Sequence, residues 1–448
     1  VSDQPHQPAR QSTGSDAETD QAATATPPGQ TGVQVAGLDR PGQDPPPLLH
    51  QVLSGSILIS VLAVVLALVV GAFLIAFADQ ATREASGYFF TRPGDTLSAA
   101  WGAVTDAYVA MFRGAIFDWH QGGLAGLLRP LTESMVYSVP LILAGLGIAV
   151  GFRAGLFNIG AQGQIIVGAI VAAWLGFAFD LPPVIHLLVA ALGGAIGGAV
   201  WAGIPGVLKA RFGANEVIVT IMLNYIAVYL IGYVLKLSAF NPGRTGQRSP
   251  SVGADAVYPL LIPASWFPGV NLRLHLGFLV AIAAAAFVWW LLERSTIGFE
   301  LRAAGANPAA ARTAGMSVGR ITVVTMLIAG ALAGLAATAQ VLGTERSLTA
   351  GVAATYGFDA ITVALLGRSR PWGTFFAGLL FGALKAGGMF MQSLTSTPVD
   401  IILVLQAIIV LLIAAPPLVR SVFRLPDPAK PHQPRKPRSG SRAEEIPA

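Results

Sequence analysis

The sequence predicts an all-α polytopic membrane protein of about ten transmembrane helices. Three observations carry this prediction. The chain is 54% hydrophobic and only 11% charged, whereas soluble domains carry about a quarter charged residues. Apolar runs long enough to cross a bilayer recur along it. Its 51 glycines include GxxxG pairs within those runs, the spacing that lets helices pack closely in lipid. The formal net charge of +5 does not point to nucleic acid, because the basic residues gather in loops and at the C-terminal end rather than on a basic helix. The absence of cysteine excludes disulfides and thiolate metal sites.

Residues 1–52 are rich in Pro, Gln, Thr, Asp and Gly, a composition that cannot bury enough apolar surface to fold, so a disordered tail is expected. The membrane domain is expected over 53–418. Its first run, Ser56 to Phe77, ends near Ala76-Phe77-Ala78. That triplet resembles a signal-peptidase site, but the run is too long and its leader too acidic, so an uncleaved anchor is expected. Residues 79–133 form a mixed loop in which Leu97, Trp101, Val104, Tyr108, Met111 and Phe112 recur at helical spacing, an amphipathic helix that packs or lies at the membrane surface. Further runs fall near 134–151, 164–180, 185–208, 215–235, 275–292, 321–342, 353–367, 372–391 and 399–416. The 353–367 run is short for a span and is compatible with a re-entrant segment. Residues 419–448 form a basic tail, again expected to be disordered.

Basic residues set the orientation. With the N-terminus inside, Arg153, Lys209, Arg211, Arg294, Arg302, Arg312, Arg320, Arg368, Arg370 and the basic tail all face the cytoplasm, as the positive-inside rule requires. Both termini are then cytoplasmic and 79–133 is external.

Polar groups inside apolar runs need partners or a function. Asn158, Gln162 and Gln164 stand among the glycines of Gly155-Leu-Phe-Asn-Ile-Gly-Ala-Gln-Gly-Gln. This stretch reads as a broken segment lining a permeation path or gate, with amide bonding between helices as the alternative. Glu216, Thr220 and Asn224 recur every four residues along one helix face; Asn215 and Glu216 also suit a helix N-terminus. Lys385 lies deep in an apolar run, where it snorkels, pairs with Asp359 or Glu345, or lines the path. Gly155–Gly160 and Tyr356–Ile361 share a Gly, Phe and amide-or-acid pattern, which suggests two related halves.

The most polar stretch of the hydrophobic bulk is 293–320. Asn307 is a helix cap, Pro308 suits the first turn, the alanines that follow favour helix, and Gly315 suits the stop. A helix of about seven residues is unstable alone, so it needs a surface to dock on. The chain has no Gly-Lys-Ser or Gly-Lys-Thr phosphate loop. Any ATPase therefore belongs to another chain.

The runs FRAGLFNIGAQGQIIVGA, GANEVIVTIMLNYIA, GFELRAAGANPAAARTAGM and YGFDAITVALLGRSRPWG resemble the permease subunits of bacterial ABC importers. Within that family the simple-sugar and nucleoside branch is the most similar, over about residues 130–416. The resemblance implies a vitamin-B12-importer-like (type II) bundle in the cytoplasmic membrane. It implies two permease subunits, alike or unlike, framing the path, with cytoplasmic ATPase subunits that bind ATP and Mg, and an extracellular or lipid-anchored solute-binding protein. No cofactor is expected in this chain itself, and no catalytic residue. The resemblance places Asn158, Gly160, Gln162 and Gly163 on the family's amide-glycine motif; with the polar groups read above, the expected path or gate residues are Asn158, Gln162, Gln164, Thr220, Asn224, Asp359 and Lys385. Those coupled to the ATPase are Glu300, Arg302, Gly305, Asn307, Pro308, Ala310, Ala311, Arg312 and Gly315. Many relatives carry Glu where this chain has Gln162, so a protonatable role there is not implied. The competing expectation is an ion-coupled secondary transporter or channel with no ATPase partner.

Overall fold

In the computed structural model, the residues described are 56–424 apart from 244–245, 267–269, 271, 396–397 and 399. The N-terminal tail, 1–52, and the part of the C-terminal tail beyond 424 lie outside the described residues.

Every apolar run becomes a helix. Among the described residues, eight are long and apolar enough to cross a membrane: α1 (Ser56–Ala78), α4 (Leu124–Arg153), α5 (Ala161–Ala178), α6 (Pro183–Phe212), α7 (Glu216–Val234), α8 (Gly277–Arg294), α11 (Val318–Thr338) and α13 (Pro371–Thr395), with the short α2 (Gln80–Ser86), the less apolar α3 (Pro93–Ala115) and the polar α9 (Thr296–Ala306) and α10 (Pro308–Thr313) between them. Two shorter apolar helices, α12 (Tyr356–Leu366) and α14 (Asp400–Ala414), complete the set. A last helix, α15 (Pro416–Val422), buries Val419. Helix thus continues to Val422, four residues past the expected domain boundary at 418.

Backbone-to-backbone contact at glycine decides the packing. Gly194 and Gly198 of α6 interlock with Gly330 and Gly334 of α11, where a Cβ on Gly198 would lie 2.3 Å from the Gly330 carbonyl oxygen. Gly378 and Gly382 of α13 meet Ile142, Ser134 and Ser138 of α4 in the same way. Between lipid-soluble helices there is little hydrophobic driving force, so such close van der Waals contact supplies much of the attraction.

The chain buries two apolar clusters. The larger draws on α4, α5, α8, α11, α12 and α13. The smaller joins α1, α3 and α14, with Ala63, Ala67, Ala107, Ala110, Leu405 and Ile409 at its centre. This is why α3 exists as a long helix. Its alanines pack on α1 and α13, and the Tyr108 hydroxyl bonds the Leu68 carbonyl. Leu97, Trp101 and Phe112 from the same predicted face remain exposed. The amphipathic helix therefore packs through part of its apolar face only.

The 353–367 run resolves into two legs. Glu345–Thr355 is irregular, with left-handed backbone at Arg346 and Ala354. It is tied to the 248–252 loop by Ser249 N–H to Leu348 O (2.9 Å), Val252 N–H to Arg346 O (3.0 Å) and Arg248 Nε–H to Ser347 Oγ (2.7 Å). Its backbone groups thus find protein partners, as non-helical backbone at membrane depth would require. The second leg is α12, 11 residues and so about 16 Å long, roughly half a hydrocarbon core. Just before the irregular leg, α11 widens into a π turn at Ala339–Thr344, a local distortion frequent at functional positions.

Candidate functional site

Breaking a helix frees backbone donors and acceptors, each costing several kcal/mol in an apolar setting if left unpaired. In the 154–160 link between α4 and α5, side-chain amides are the partners. Asn158 Oδ1 accepts from the Gly160 N–H at 2.9 Å, and its amide pairs with that of Gln164 at 3.1 and 3.2 Å. Asn224 reaches over from α7: its Oδ1 accepts from Gly163 N–H (2.8 Å) and its Nδ2 donates to Ile159 O (2.9 Å). Gln162 does the same for the start of α12, donating to Ala354 O at 2.7 Å and accepting from Gly357 N–H at 2.9 Å.

These four amides are buried and lock α5 to α7 on one side and to α12 on the other. The two sequence motifs that look alike, around Gly155–Gly160 and Tyr356–Ile361, are thereby brought together through Gln162. Thr220 is fully buried beside Gly160 and bonds the Glu216 carbonyl at 2.7 Å within its own helix. Glu216 pairs with Lys209 across the α6–α7 turn at 2.5 Å, while Asn215 caps α7 through Val217 N–H at 3.0 Å.

Lys385 does not snorkel. Its ammonium lies 3.5 Å from Asp359 Oδ2 and 4.2 Å from the centre of the Tyr356 ring. Asp359 also accepts from the Thr355 hydroxyl at 2.7 Å. The first turns of α12 are thus held to α13 by a charge pair and a cation–π contact, about one-fifth exposed at Lys385 and 17% at Asp359. Beside them, Thr355 and Phe358 are exposed. Tyr356 was not singled out from sequence; its position three residues before Asp359 is the signal that finds it, since α12 places the two on one face.

The polar stretch at 293–320 forms a corner against the bundle. Gly305 sits on the chain reversal after α4, where a Cβ would lie 2.3 Å from the Arg153 carbonyl oxygen. Arg153 in turn donates from Nε to the Ser369 carbonyl in the α12–α13 turn at 3.0 Å. The short helix forms as its residues dictate: Asn307 Oδ1 accepts from Ala309 and Ala310 N–H at 3.0 and 3.1 Å, Pro308 opens α10, and Gly315 ends it at φ +82°. Two features differ from the expectation. The stretch holds a second helix, α9, announced by Ser295, whose Oγ caps Gly298 N–H at 2.9 Å. Ala311 is buried against the chain's own core, so the outward surface of α10 is Ala309, Ala310, Arg312 and Thr313. Arg302 pairs with Glu293 at 3.1 Å, and Glu300 is half-buried on α9.

At the other end of the bundle a cavity of about 420 Å³ opens between Arg113, Asp118, Arg129, Glu133, Tyr137, Arg273 and Phe390. Arg273 pairs with Glu133, and Arg113 Nε donates to Asp118 at 2.8 Å. Burial works to raise the Asp118 carboxyl, but the Arg113 bond and the His120 N–H outweigh it and hold it below the ordinary carboxylate range.

A family described as branched-chain amino acid transport system / permease component matches residues 131–414. The chain belongs to this permease family. The permease is 41% identical over 303 residues to the guanosine ABC transporter permease protein NupP of Bacillus subtilis (strain 168), covering 67% of this chain and 85% of that one. It is 37% identical over 286 residues to the glucose ABC transporter permease protein TsgB13 of Haloferax volcanii (63% and 75% covered), and 34% identical over 297 residues to the nucleoside ABC transporter permease protein NupB of Lactococcus lactis subsp. cremoris (64% and 80%). A second Bacillus subtilis protein, the guanosine ABC transporter permease protein NupQ, is 26% identical over 282 residues, 61% of this chain and 82% of that one. No solved structure is matched. This permease is therefore a multi-pass membrane protein of the ABC importer class.

Proposed function

We propose that this permease carries nucleosides, with related sugars as the secondary class, across the cytoplasmic membrane in an importer driven by a separate ATPase. The observation that supports the coupling is the α9–α10 corner. Its short capped helix turns Ala309, Ala310, Arg312 and Thr313 away from the bundle, while Gly305 presses its base onto the end of α4. A push on α10 therefore reaches α4 and, through Arg153 and Ser369, the α12–α13 turn. ATP and Mg bind in the partner ATPase, and the corner faces the cytoplasm together with both termini. The amide lattice and the Lys385–Asp359 pair hold the elements that rock as access alternates.

The relatives' printed substrates support the choice of solute. The occurrence of two guanosine ABC transporter permease proteins, NupP and NupQ, in one organism, both similar to this chain, supports a heterodimer of unlike permeases as the assembly. A solute-binding protein delivers the cargo from outside. The test is uptake of labelled guanosine, adenosine, ribose and glucose into vesicles holding this permease, with and without a partner ABC ATPase. Uptake that needs ATP and the ATPase, and prefers nucleosides, is the expected result. Uptake by the permease alone on an ion gradient would instead establish a secondary transporter.

A further inference from the structure

Helix α7 presents an outward face unlike that of its neighbour. On α6 the exposed side is aliphatic throughout, with Leu188, Leu192, Ile196, Val200 and Ile204 in line, as contact with lipid requires. On α7 the corresponding side carries Tyr225, Tyr229 and Tyr233, exposed by 60%, 78% and 61%, among the exposed apolar Ile218, Met222 and Ile226. At 3.6 residues per turn these fall within about 80° of one another. They point directly away from the buried Thr220, Asn224, Ala227 and Ile231 on the opposite side.

Depth separates the three. Counting from Glu216 at about 1.5 Å per residue, Tyr225 lies about 14 Å and Tyr229 about 20 Å along the helix, within a hydrocarbon core of about 30 Å. Tyr233 lies near the far boundary, where an interfacial aromatic belt accounts for it. The belt does not account for the other two. Neither hydroxyl makes a hydrogen bond among the described residues, and hydrocarbon offers no partner.

Resting on the importer reading above, we propose that Tyr225 and Tyr229 line the water-filled path and act as stacking platforms for the ring of the solute. A phenol offers an apolar face to a nucleobase or to the C–H face of a sugar, and a hydroxyl to its polar edge. Two phenols about one helical turn apart allow a planar base to pass from one ring to the next. Stacking suits a path because it is tolerant of base identity and individually weak. The amide lattice lies behind this face: Asn224 grips the α5 break from the buried side of the same helix. A shift of α5 therefore moves the phenols.

The chain has no cysteine, so single-cysteine labelling reads this directly in the assembled importer. The variants are Tyr225→Cys and Tyr229→Cys, with Ile196→Cys as the lipid-facing control. A charged, membrane-impermeant thiol reagent is expected to label 225 and 229 but not 196, and guanosine is expected to slow that labelling more than glucose does. Tyr229→Phe keeps the stacking face and is expected to hold KM for guanosine within a few-fold, while Tyr229→Ala raises it about ten-fold. Labelling at 225 and 229 no faster than at 196, or an unchanged KM in Tyr229→Ala, would each overturn the proposal. ATP-driven uptake by the unmodified importer is measured alongside. Its loss would count against the importer reading, whereas intact uptake with unlabelled phenol positions would count against this one alone.

Discussion

The side chain of Gln162 holds the first turn of α12 from both sides, donating to the Ala354 carbonyl at 2.7 Å and accepting from the Gly357 N–H at 2.9 Å. No other side chain of that length both donates and accepts without first taking up a proton. Gln162→Ala leaves two buried backbone groups unpaired, at about 1–3 kcal/mol each. Gln162→Glu keeps the acceptor for Gly357 and sets an ionised oxygen against the Ala354 carbonyl. The expected order of melting temperature for the purified permease is wild type, then Glu, then Ala, with uptake falling in the same order. A Glu variant as stable as wild type would mean that the Ala354 bond contributes little.

Much of this lattice is visible in the sequence as composition, and little as connection. Amides and glycines interrupting an apolar run announce a break, because free backbone groups in lipid must be met. Which amide meets which group depends on contacts such as Gln162 to Gly357, 195 residues apart, and no local pattern encodes them. The start of α10 was legible in Asn307 and Pro308, which act through local geometry alone, while its end falls one residue early, at Thr313. The burial of Ala311 was not, because it depends on the bundle beneath. Likewise the 353–367 run shows its shortness, but not that an irregular leg tied to the 248–252 loop precedes its helix.

The two alanines of α10 should behave oppositely. Ala310 is exposed and Ala311 is 3% exposed. Ala310→Asp is expected to leave folding and membrane insertion unchanged while cutting ATP-driven uptake at least ten-fold, if the corner docks on an ATPase. Ala311→Asp buries an unpaired carboxylate and is expected to reduce the amount of folded permease recovered. Asn307→Ala removes the cap, at about 1 kcal/mol, and Asn307→Asp retains it. Copurification of the ATPase with each variant separates lost docking from lost folding.

Lys385 and Asp359 should show strong coupling. Removing either partner alone, as Lys385→Met or Asp359→Leu, leaves a largely buried charge and is expected to cost roughly 3 kcal/mol. Removing both replaces the pair with apolar groups and is expected to recover most of that loss. If the pair serves only to hold α12 on α13, uptake will recover with stability in the double variant. If uptake stays low while the melting temperature recovers, the charges also act during transport.

The Arg113–Asp118 pair predicts a pH response at the end of the bundle opposite α10. The Asp118 carboxyl is held low in the folded protein, so as pH falls the unfolded chain takes up this proton first. Its contribution to stability is therefore complete above the ordinary carboxylate range near 3.9 and is lost as pH falls through the lower folded value. Arg113→Leu removes the guanidinium bond and leaves burial opposed mainly by the His120 N–H. Its melting temperature should begin to fall at a higher pH than that of wild type. Parallel curves for the two proteins would show that the pair does not set the acid limit.

The α6–α11 contact offers the sharpest test of the packing. A Cβ at Gly334 would sit 2.2 Å from the Gly194 carbonyl oxygen, and both neighbours are backbone, which cannot swing aside. Gly232, also within a spanning helix, has nothing within 4 Å of the same position. Gly334→Ala and Gly232→Ala therefore add one methyl group to two helices with opposite outcomes. At 232 the methyl replaces a glycine in an exposed helix and is expected to be neutral or to stabilise by up to about 1 kcal/mol. At 334 it must push α11 from α6 by more than an ångström, prising apart the glycine contacts along both helices. A large drop in melting temperature for the 334 variant alone is the expected result, and equal behaviour of the two would mean that α6 and α11 do not pack this closely.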